Sequence, residues 1–188
     1  LDAANYNTGL GVDVFAALTS GDSNVAIGKS ALPSNTTGSD NTAIGASALL
    51  ANTTGADNVA VGAQALDANT SGDSNVAVGK SALSANTTGN YSVGIGALAL
   101  QVNTTGQNVA IGQAAMIANT TGTGNVAIGT YDDAALQPLK ANTTGDHHVA
   151  IGTGALSANT TSDDNTAVGY SALTANTTAY SNVAVGTS

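Results

Sequence analysis

The sequence predicts an all-β fold, a parallel β-solenoid of about eleven 17-residue coils that occupies residues 1–188 as a single repeat domain. Three observations predict it. A five-residue core, Asn-Val-Ala-Ile-Gly at 24–28, recurs along nearly the whole chain. Apolar residues hold the same places in successive repeats, and Asn-Thr-Thr-Gly turns separate the repeats. A disordered chain has no reason to keep this register, so the abundance of Asn, Thr and Gly does not indicate disorder.

The glycine that closes each core sets the period. Successive glycines are 17 residues apart in eight of ten steps, and the exceptions are one step of 16 and one of 23. They are Gly11, Gly28, Gly45, Gly62, Gly79, Gly96, Gly112, Gly129, Gly152, Gly169 and Gly186. The short step lacks one residue in the turn before Asn108, and the long step predicts an irregular expanded coil at 130–141.

Four apolar columns predict the strands and the core. The Val25 and Ile27 columns are mostly β-branched, which suits a pleated strand, and the small Ala26 column lies between them. A Leu column comprises Phe15, Leu32, Leu49, Leu66, Leu83, Leu100, Met116, Leu156 and Leu173, with either Leu136 or Leu139 in the expanded coil. We expect the Val25, Ile27 and Leu32 columns to fill the inside of the coil, and the Ala26 column to press against another copy of the chain.

Two asparagine columns predict the turns. A strand Asn column precedes the core, with Ser92 and His148 as its substitutions: Asn7, Asn24, Asn41, Asn58, Asn75, Asn108, Asn125, Asn165 and Asn182. A turn Asn column begins each Asn-Thr-Thr or Asn-Thr-Ser: Asn35, Asn52, Asn69, Asn86, Asn103, Asn119, Asn142, Asn159 and Asn176. The nine residues of the turn Asn column are formal N-glycosylation acceptors. They also suit a buried amide ladder along the stack, which we favour.

The segment Asn24-Val25-Ala26-Ile27-Gly28-Lys29-Ser30-Ala31 and its repeats resemble the head repeats of trimeric autotransporter adhesins of the YadA type. Similar repeats occur in phage tail fibres that end in an endosialidase-type chaperone domain. The resemblance implies a trimeric, left-handed parallel β-roll on the outside of a cell or virion, used for attachment. This chain departs from the adhesin heads in its longer period, and it contains no coiled-coil stalk, membrane anchor or chaperone domain.

Composition excludes several functions. With 12 acidic and 3 basic residues the net charge is −9, which opposes binding to nucleic acid or to an anionic membrane surface. The chain has no Cys, and no apolar run approaches the roughly 18 residues that cross a bilayer, so we expect no membrane insertion. It begins at Leu1 and ends on a strand-like repeat, so we expect a piece of a longer fibre or a subunit that stacks head to tail into a filament.

The irregular coil offers candidate metal ligands in Tyr131, Asp132 and Asp133 with Asp146, His147 and His148. We favour the alternative, in which His148 fills the strand Asn column and His147 points into solvent. A loose acidic column could attract Ca²⁺, but its spacing is not that of a calcium loop, so we favour a solvated edge: Asp22, Asp40, Asp57, Asp73, Asp146 and Asp163. We predict no catalytic, cofactor or metal site.

The predicted function is a non-catalytic extracellular fibre segment, structural or adhesive, at a cell or virion surface. Its predicted partners are copies of itself, in a homotrimer or a head-to-tail filament, and a host or matrix ligand. A phage tail-fibre shaft is one alternative. An ice-binding solenoid is the other, although adjacent Thr36 and Thr37 would point to opposite sides of a strand. No residue pattern pairs a nucleophile with a base, so we expect no enzyme.

Overall fold

The structure, a computed structural model, describes residues 6–130 and 136–187. These residues form eleven three-residue strands and contain no helix. The strands are β1 (Thr8–Leu10), β2 (Val25–Ile27), β3 (Thr42–Ile44), β4 (Val59–Val61), β5 (Val76–Val78), β6 (Val93–Ile95), β7 (Val109–Ile111), β8 (Val126–Ile128), β9 (Val149–Ile151), β10 (Thr166–Val168) and β11 (Val183–Val185). They stack in chain order into one parallel sheet. The predicted β-solenoid of about 17-residue coils is confirmed.

Equivalent residues of successive coils lie directly above one another. Ala26 pairs with Ala43, and Ile27 pairs with Ile44, one coil further on. The 16-residue and 23-residue steps keep the same register, because Val93 still pairs with a valine of β7 and β8 pairs with β9 in the same way. The turns therefore absorb both irregularities, and the sheet is continuous across them.

The side of each strand that faces the core is the opposite of the one we expected. Ala26 is fully buried, whereas Val25 is half-buried and Ile27 is 37% exposed. The prediction that the Val25 and Ile27 columns fill the coil, with the Ala26 column outside, is therefore wrong. The core of a regular coil holds two alanines and one large residue, such as Ala26, Ala31 and Leu32. Because the leucine enters from the turn and fills the narrow interior, only a small side chain fits on the inner side of the strand.

The Leu column adopts a backbone conformation that bulky residues rarely take. Leu32 has φ 50° and Leu66 has φ 50°, in the left-handed region, and both are fully buried. This conformation costs roughly 1–2 kcal/mol per residue, whereas burial of a leucine contributes about 1.5–3 kcal/mol. Burial is therefore sufficient to hold the strained turn. In the expanded coil Leu139 takes this place, fully buried at φ 49°, while Leu136 is half-buried.

Hydrogen bonds between coils continue outside the sheet. Leu32 N–H donates to the Ala48 carbonyl at 3.0 Å, and Thr36 N–H donates to the Thr53 carbonyl at 2.8 Å. The backbone of the turns is thus satisfied by the neighbouring coil, as the backbone of the strands is. No coil satisfies these groups alone, so the coils fold as a stack.

Candidate functional site

The largest uniform surface of the solenoid is the outer Val/Ile face, formed by the first and third residue of each strand. Ile27, Ile44, Ile95 and Ile151 are each 37% exposed, and the valines or threonines beside them in β2 to β10 are half-buried. At about 4.8 Å per strand the face is on the order of 50 Å long. The Ile/Val rank alone exposes roughly 600 Å², the size of the largest apolar patches on ordinary monomers.

Charge is excluded from this face. None of the residues in β1–β11 is charged, although the chain contains 15 charged residues. Beside the face, the second position after each strand holds lysine, alanine or a neutral polar residue in most coils, such as Lys29, Ala46 and Gln113. An apolar, uncharged strip bordered by polar residues has the composition of an interface between proteins.

The turn Asn column forms a buried amide ladder. Nδ2 of Asn52 donates to Oδ1 of Asn35 at 3.1 Å and to the Gly55 carbonyl at 2.9 Å, and Asn69 repeats the pattern. Eight members of the column are fully buried, and only Asn176 is partly exposed: Asn35, Asn52, Asn69, Asn86, Asn103, Asn119, Asn142 and Asn159 are the buried ones. A sugar on Nδ2 would replace one of the bonded hydrogens. The folded geometry therefore favours the ladder over glycosylation at the buried positions.

The strand Asn column runs beside this ladder. Oδ1 of Asn24 accepts a hydrogen bond from the backbone N–H of Asn41 at 3.0 Å, in the next coil. Nδ2 of Asn24 and Nδ2 of Asn35 both donate to the Gly38 carbonyl, at 3.0 and 2.8 Å. The two columns are thus joined through the glycine of each turn, and together they form a polar core beside the apolar one.

His148 occupies the strand Asn column as a close substitute for asparagine. Its Nδ1 accepts a hydrogen bond from the backbone N–H of Asn165 at 3.2 Å, where an asparagine would use Oδ1. Its Nε2 lies 2.6 Å from the Ser162 carbonyl, where an asparagine would use Nδ2. These two bonds require a neutral imidazole with its hydrogen on Nε2. The prediction that His148 fills the column is confirmed.

Burial lowers the pKa of His148 below its ordinary value of 6.5, against the opposing effects of its bond to the Ser162 carbonyl and of the nearby charges of Asp163 and Asp164. The folded chain therefore binds this proton less readily than the unfolded chain. We expect the contribution of His148 to the free energy of unfolding to be constant above pH 7. Below about pH 6.5 the free energy of unfolding is expected to fall with falling pH, until the pH reaches the lowered pKa of His148 in the folded chain. Thermal unfolding between pH 8 and pH 5 measures this.

His148→Asn restores the column and is expected to remove the decrease between pH 6.5 and pH 5, since carboxylates titrate mostly below that range. His147→Asn is the matched control, because the His147 side chain is 68% exposed and lies 3.6 Å from Asp164. It is expected to keep the pH dependence of the unmodified chain. A decrease that persists in His148→Asn would assign the effect to another group.

The described residues contain no group of three metal-binding side chains. Tyr131, Asp132 and Asp133 lie outside the described residues. Both ring nitrogens of His148 have partners within the stack, so metal binding there would break the bonds of the column. Asp146 also has a structural partner, because its carboxylate accepts the backbone N–H of Thr123 at 2.6 Å.

The acidic turn residues lie in two adjacent columns and not in one. In the column of Asp73 and Asp163, the carboxylate accepts the backbone N–H of the preceding coil: Ala56 donates to Asp73 at 2.8 Å and Asp146 donates to Asp163 at 2.9 Å. The next column, with Asp40 and Asp57, is exposed. Acidic residues therefore serve as turn acceptors or as solvated surface.

The threonine ranks differ in what their hydroxyls do. The hydroxyl of Thr36 donates to the Thr53 carbonyl at 2.9 Å, and Thr53 donates to the Thr70 carbonyl at 3.0 Å. Thr37 and Thr54, in the next rank, are exposed. An ice-binding surface of two free threonine ranks is not favoured by this arrangement, because the first rank is bonded to the backbone.

Comparison of the chain with protein-family models, with curated proteins and with solved structures gave no match. The fold therefore defines the class of the protein, a parallel β-solenoid repeat protein. Among the described residues, no helix is long and apolar enough to span a membrane.

Proposed function

We propose that the chain is a non-catalytic segment of an extracellular fibre, structural or adhesive, whose copies associate side by side through the outer Val/Ile face. One observation carries this proposal: an uncharged, mainly apolar strip follows the whole length of the stack of strands. Association along the strip removes it from water without closing either end of the solenoid. A rod that grows in length by adding coils and in thickness by adding chains is suited to span the distance between two surfaces.

The area of the strip fits a stable interface. Stable complexes bury about 800 Å² per partner, and the Ile/Val rank with the half-buried valines beside it reaches this order. The number of chains follows the resemblance to the adhesin heads, which implies a homotrimer with left-handed coils. In a closed trimer the strip of each chain is shared between its two neighbours, so no strip is left open.

The remaining surface supports an extracellular role. The exposed turns are rich in Thr, Ser and Asp, and the net charge of −9 keeps separate fibres from aggregating. We propose the cell surface as the location, with a virion surface as the alternative if the chain is a phage tail-fibre shaft. Immunogold labelling of intact cells and of virions distinguishes these two locations.

The lateral interface is tested by placing charge on the outer face. Ile44→Lys with Ile95→Lys puts two ammonium groups per chain into the interface, and we expect the trimer to dissociate at micromolar concentration. Sedimentation equilibrium is expected to give about three times the 18.0 kDa chain mass for the unmodified protein and 18.0 kDa for the variant.

Ala46→Lys with Ala97→Lys is the matched control, because each lysine lies two residues further along the same coil, in a column that holds Lys29 and Lys80. This variant is expected to stay trimeric, and circular dichroism is expected to show β structure in all three proteins. A monomeric unmodified chain, or a trimer that survives in the Ile44→Lys, Ile95→Lys variant, would contradict the proposal. Electron micrographs separate single rods from head-to-tail filaments.

A further inference from the structure

The shortened turn interrupts the repeat. Between Asn103 and Asn108 lie four residues, whereas five residues separate the equivalent positions Asn86 and Ser92. The strands on either side stay in register, so the whole difference falls on the turns at 88–91 and 104–107. The four-residue turn at 104–107 therefore cannot match the five-residue turn before it residue for residue.

The turn Asn ladder is broken at the same place. Nδ2 of Asn86 donates to Oδ1 of Asn69 at 2.9 Å, and the equivalent bond is made by Asn119 to Asn103 at 2.8 Å. Asn103 does not donate to Asn86, because its Nδ2 turns to the carbonyl of Thr105 in its own turn. Oδ1 of Asn86 is consequently buried and has no hydrogen-bond partner among the described residues.

A surface groove of about 400 Å³ occupies the space left by the missing residue. It is lined by the two unequal turns, 88–91 and 104–107, and by Thr123 of the following coil. The unpartnered Oδ1 of Asn86 lies directly against Gly89, which lines the groove. The groove, the shortened turn and the broken ladder are thus one feature, which we call the register-break groove.

The side chains of the register-break groove differ from those of the other turns. No acidic residue occurs in the sequence from 74 to 131, although the chain has 12 of them. Tyr91 takes the column of Asp40 and Asp57, and Asn90 takes the column of Asp73. The described lining carries no charged side chain, and it combines the 64% exposed ring of Tyr91 with amides and threonine hydroxyls.

We propose that the register-break groove binds a neutral mono- or disaccharide. A sugar ring has an apolar C–H face that packs on an aromatic ring, and hydroxyls that both donate and accept hydrogen bonds. Nδ2 of Asn90, the Gln107 amide and the Thr88 hydroxyl supply neutral donors and acceptors of the matching kind. The hydroxyls of Thr104 and Thr105 already donate to carbonyls of the next coil, so they offer acceptor oxygens only.

The described lining offers an anion no basic side chain, and the net charge of −9 repels anions. The nearby carboxylate of Asp146 already accepts the backbone N–H and the hydroxyl of Thr123.

The proposal deepens the fibre function, on which it rests for its biological role, because it names the class of receptor that the segment recognises. The two are tested separately. Sedimentation reports the assembly and saccharide titration reports the groove, so a trimer that binds no saccharide overturns the groove proposal alone. A monomer that binds a saccharide through Tyr91 overturns the assembly proposal alone.

Saturation-transfer-difference NMR of the full chain tests the site with lactose, maltose, cellobiose and N,N′-diacetylchitobiose. At least one of the four is expected to bind with a dissociation constant in the millimolar range, roughly 0.1–10 mM. Tyr91→Ser, which introduces the residue of the equivalent Ser74 and Ser181, is expected to weaken this binding at least tenfold. Tyr180→Ser is the matched control, because Tyr180 is also exposed, at 68%, and does not line the groove.

A second variant restores the repeat. Insertion of one serine between Gly106 and Gln107 returns the step to 17 residues, and it is expected to let Asn103 bond to Asn86, abolish saccharide binding and raise the melting temperature. Binding that survives this insertion or Tyr91→Ser overturns the proposal, as does the absence of binding by all four saccharides. Selective binding of 3′-sialyllactose or of a collagen-like peptide at Tyr91, with no neutral saccharide bound, also overturns it.

Discussion

Asn69→Asp is expected to lower the free energy of unfolding by about 4 kcal/mol or more at pH 7. The two side chains have the same shape, so the effect isolates the amide hydrogens and the charge. In the native ladder Nδ2 of Asn69 donates to Oδ1 of Asn52 at 2.8 Å and to the Gly72 carbonyl at 2.9 Å. An aspartate directs a buried carboxylate oxygen at both acceptors and keeps only the bond from Asn86, which is 2.9 Å long.

The variant also acquires a pH dependence of known sign. Burial among acceptors raises the folded-state pKa of the new carboxyl above its unfolded value, so its protonated form is favoured in the fold. Relative to the unmodified chain, the variant is therefore expected to lose stability as the pH rises above about 4, and to recover part of it below that pH, where a protonated carboxyl donates one hydrogen bond. Urea denaturation at pH 4 and pH 7 measures the difference.

Asn90→Asp is the matched control for this substitution. Oδ1 of Asn90 accepts the backbone N–H of Asp73 at 2.6 Å, and Asp73 plays the same part for Ala56 at 2.8 Å with a carboxylate oxygen. The exchange at Asn90 is expected to change the free energy of unfolding by less than about 0.5 kcal/mol. Equal losses at Asn69 and Asn90 would mean that the buried ladder does not hold the coils together.

The period of the sequence was sufficient to predict the fold and the register. Residues 17 apart pair directly in the sheet, as with Ala26 and Ala43, and the 16-residue step is absorbed where the sequence places it, before Asn108. The buried turn asparagines and the place of His148 were also predictable, because side chains that repeat in register must bond along the stack when they are buried.

The inner and outer sides of the strand were not predictable from alternation. Alternation shows that Val25 and Ile27 share a side and that Ala26 takes the other, but both sides are apolar, so hydrophobicity does not decide which one faces the core. The deciding feature is Leu32, which enters the core from a left-handed turn at φ 50°. Propensity assigns such a conformation to glycine or asparagine, so no sequence signal indicates that a leucine adopts it.

The candidate sites also combine features that the sequence predicts with features that only the packed structure shows. The outer Val/Ile face replaces the Ala26 column as the proposed surface for lateral association, and this change follows entirely from the orientation of the strand. The register-break groove was visible in the sequence as a 16-residue step, but its depth, and the loss of the partner of Asn86, depend on how two unequal turns stack. Sequence spacing locates an irregular turn, but only the packing of the neighbouring turns shows whether a groove remains there.

Gly79→Ala is expected to destabilise the fold severely for the addition of a single methyl group, with a loss of about 3 kcal/mol or more in the free energy of unfolding. Gly79 has φ 131°, a conformation that other residues scarcely adopt. A Cβ at this position would lie 2.6 Å from the carbonyl carbon of Gly96 and 2.8 Å from the backbone nitrogen of Ala97. Both are main-chain atoms of the next coil, which the paired strands β5 and β6 hold in place.

The Gly79→Ala substitution is expected to break the contact between two coils and thereby to destabilise the whole stack. Each coil is stabilised chiefly by its two neighbours, so separating the coils of β5 and β6 divides one stack into two shorter ones. Hydrogen exchange is expected to accelerate most in Val76–Val78 and Val93–Ile95, and denaturation is expected to lose its cooperativity. Acceleration confined to the turn that contains Gly79 would show instead that the sheet tolerates the extra methyl group.

Gly124→Ala is the matched control. Gly124 also has a positive φ, of 69°, but the atoms that its Cβ would meet belong to the side chain of His147, which is exposed and free to rotate away. This exchange is expected to cost about 1 kcal/mol, the cost of the left-handed conformation alone. The difference between the two variants therefore measures the contact between coils. If both variants lose the same stability, backbone conformation and not the close stacking of coils explains why glycine occupies the end of every core.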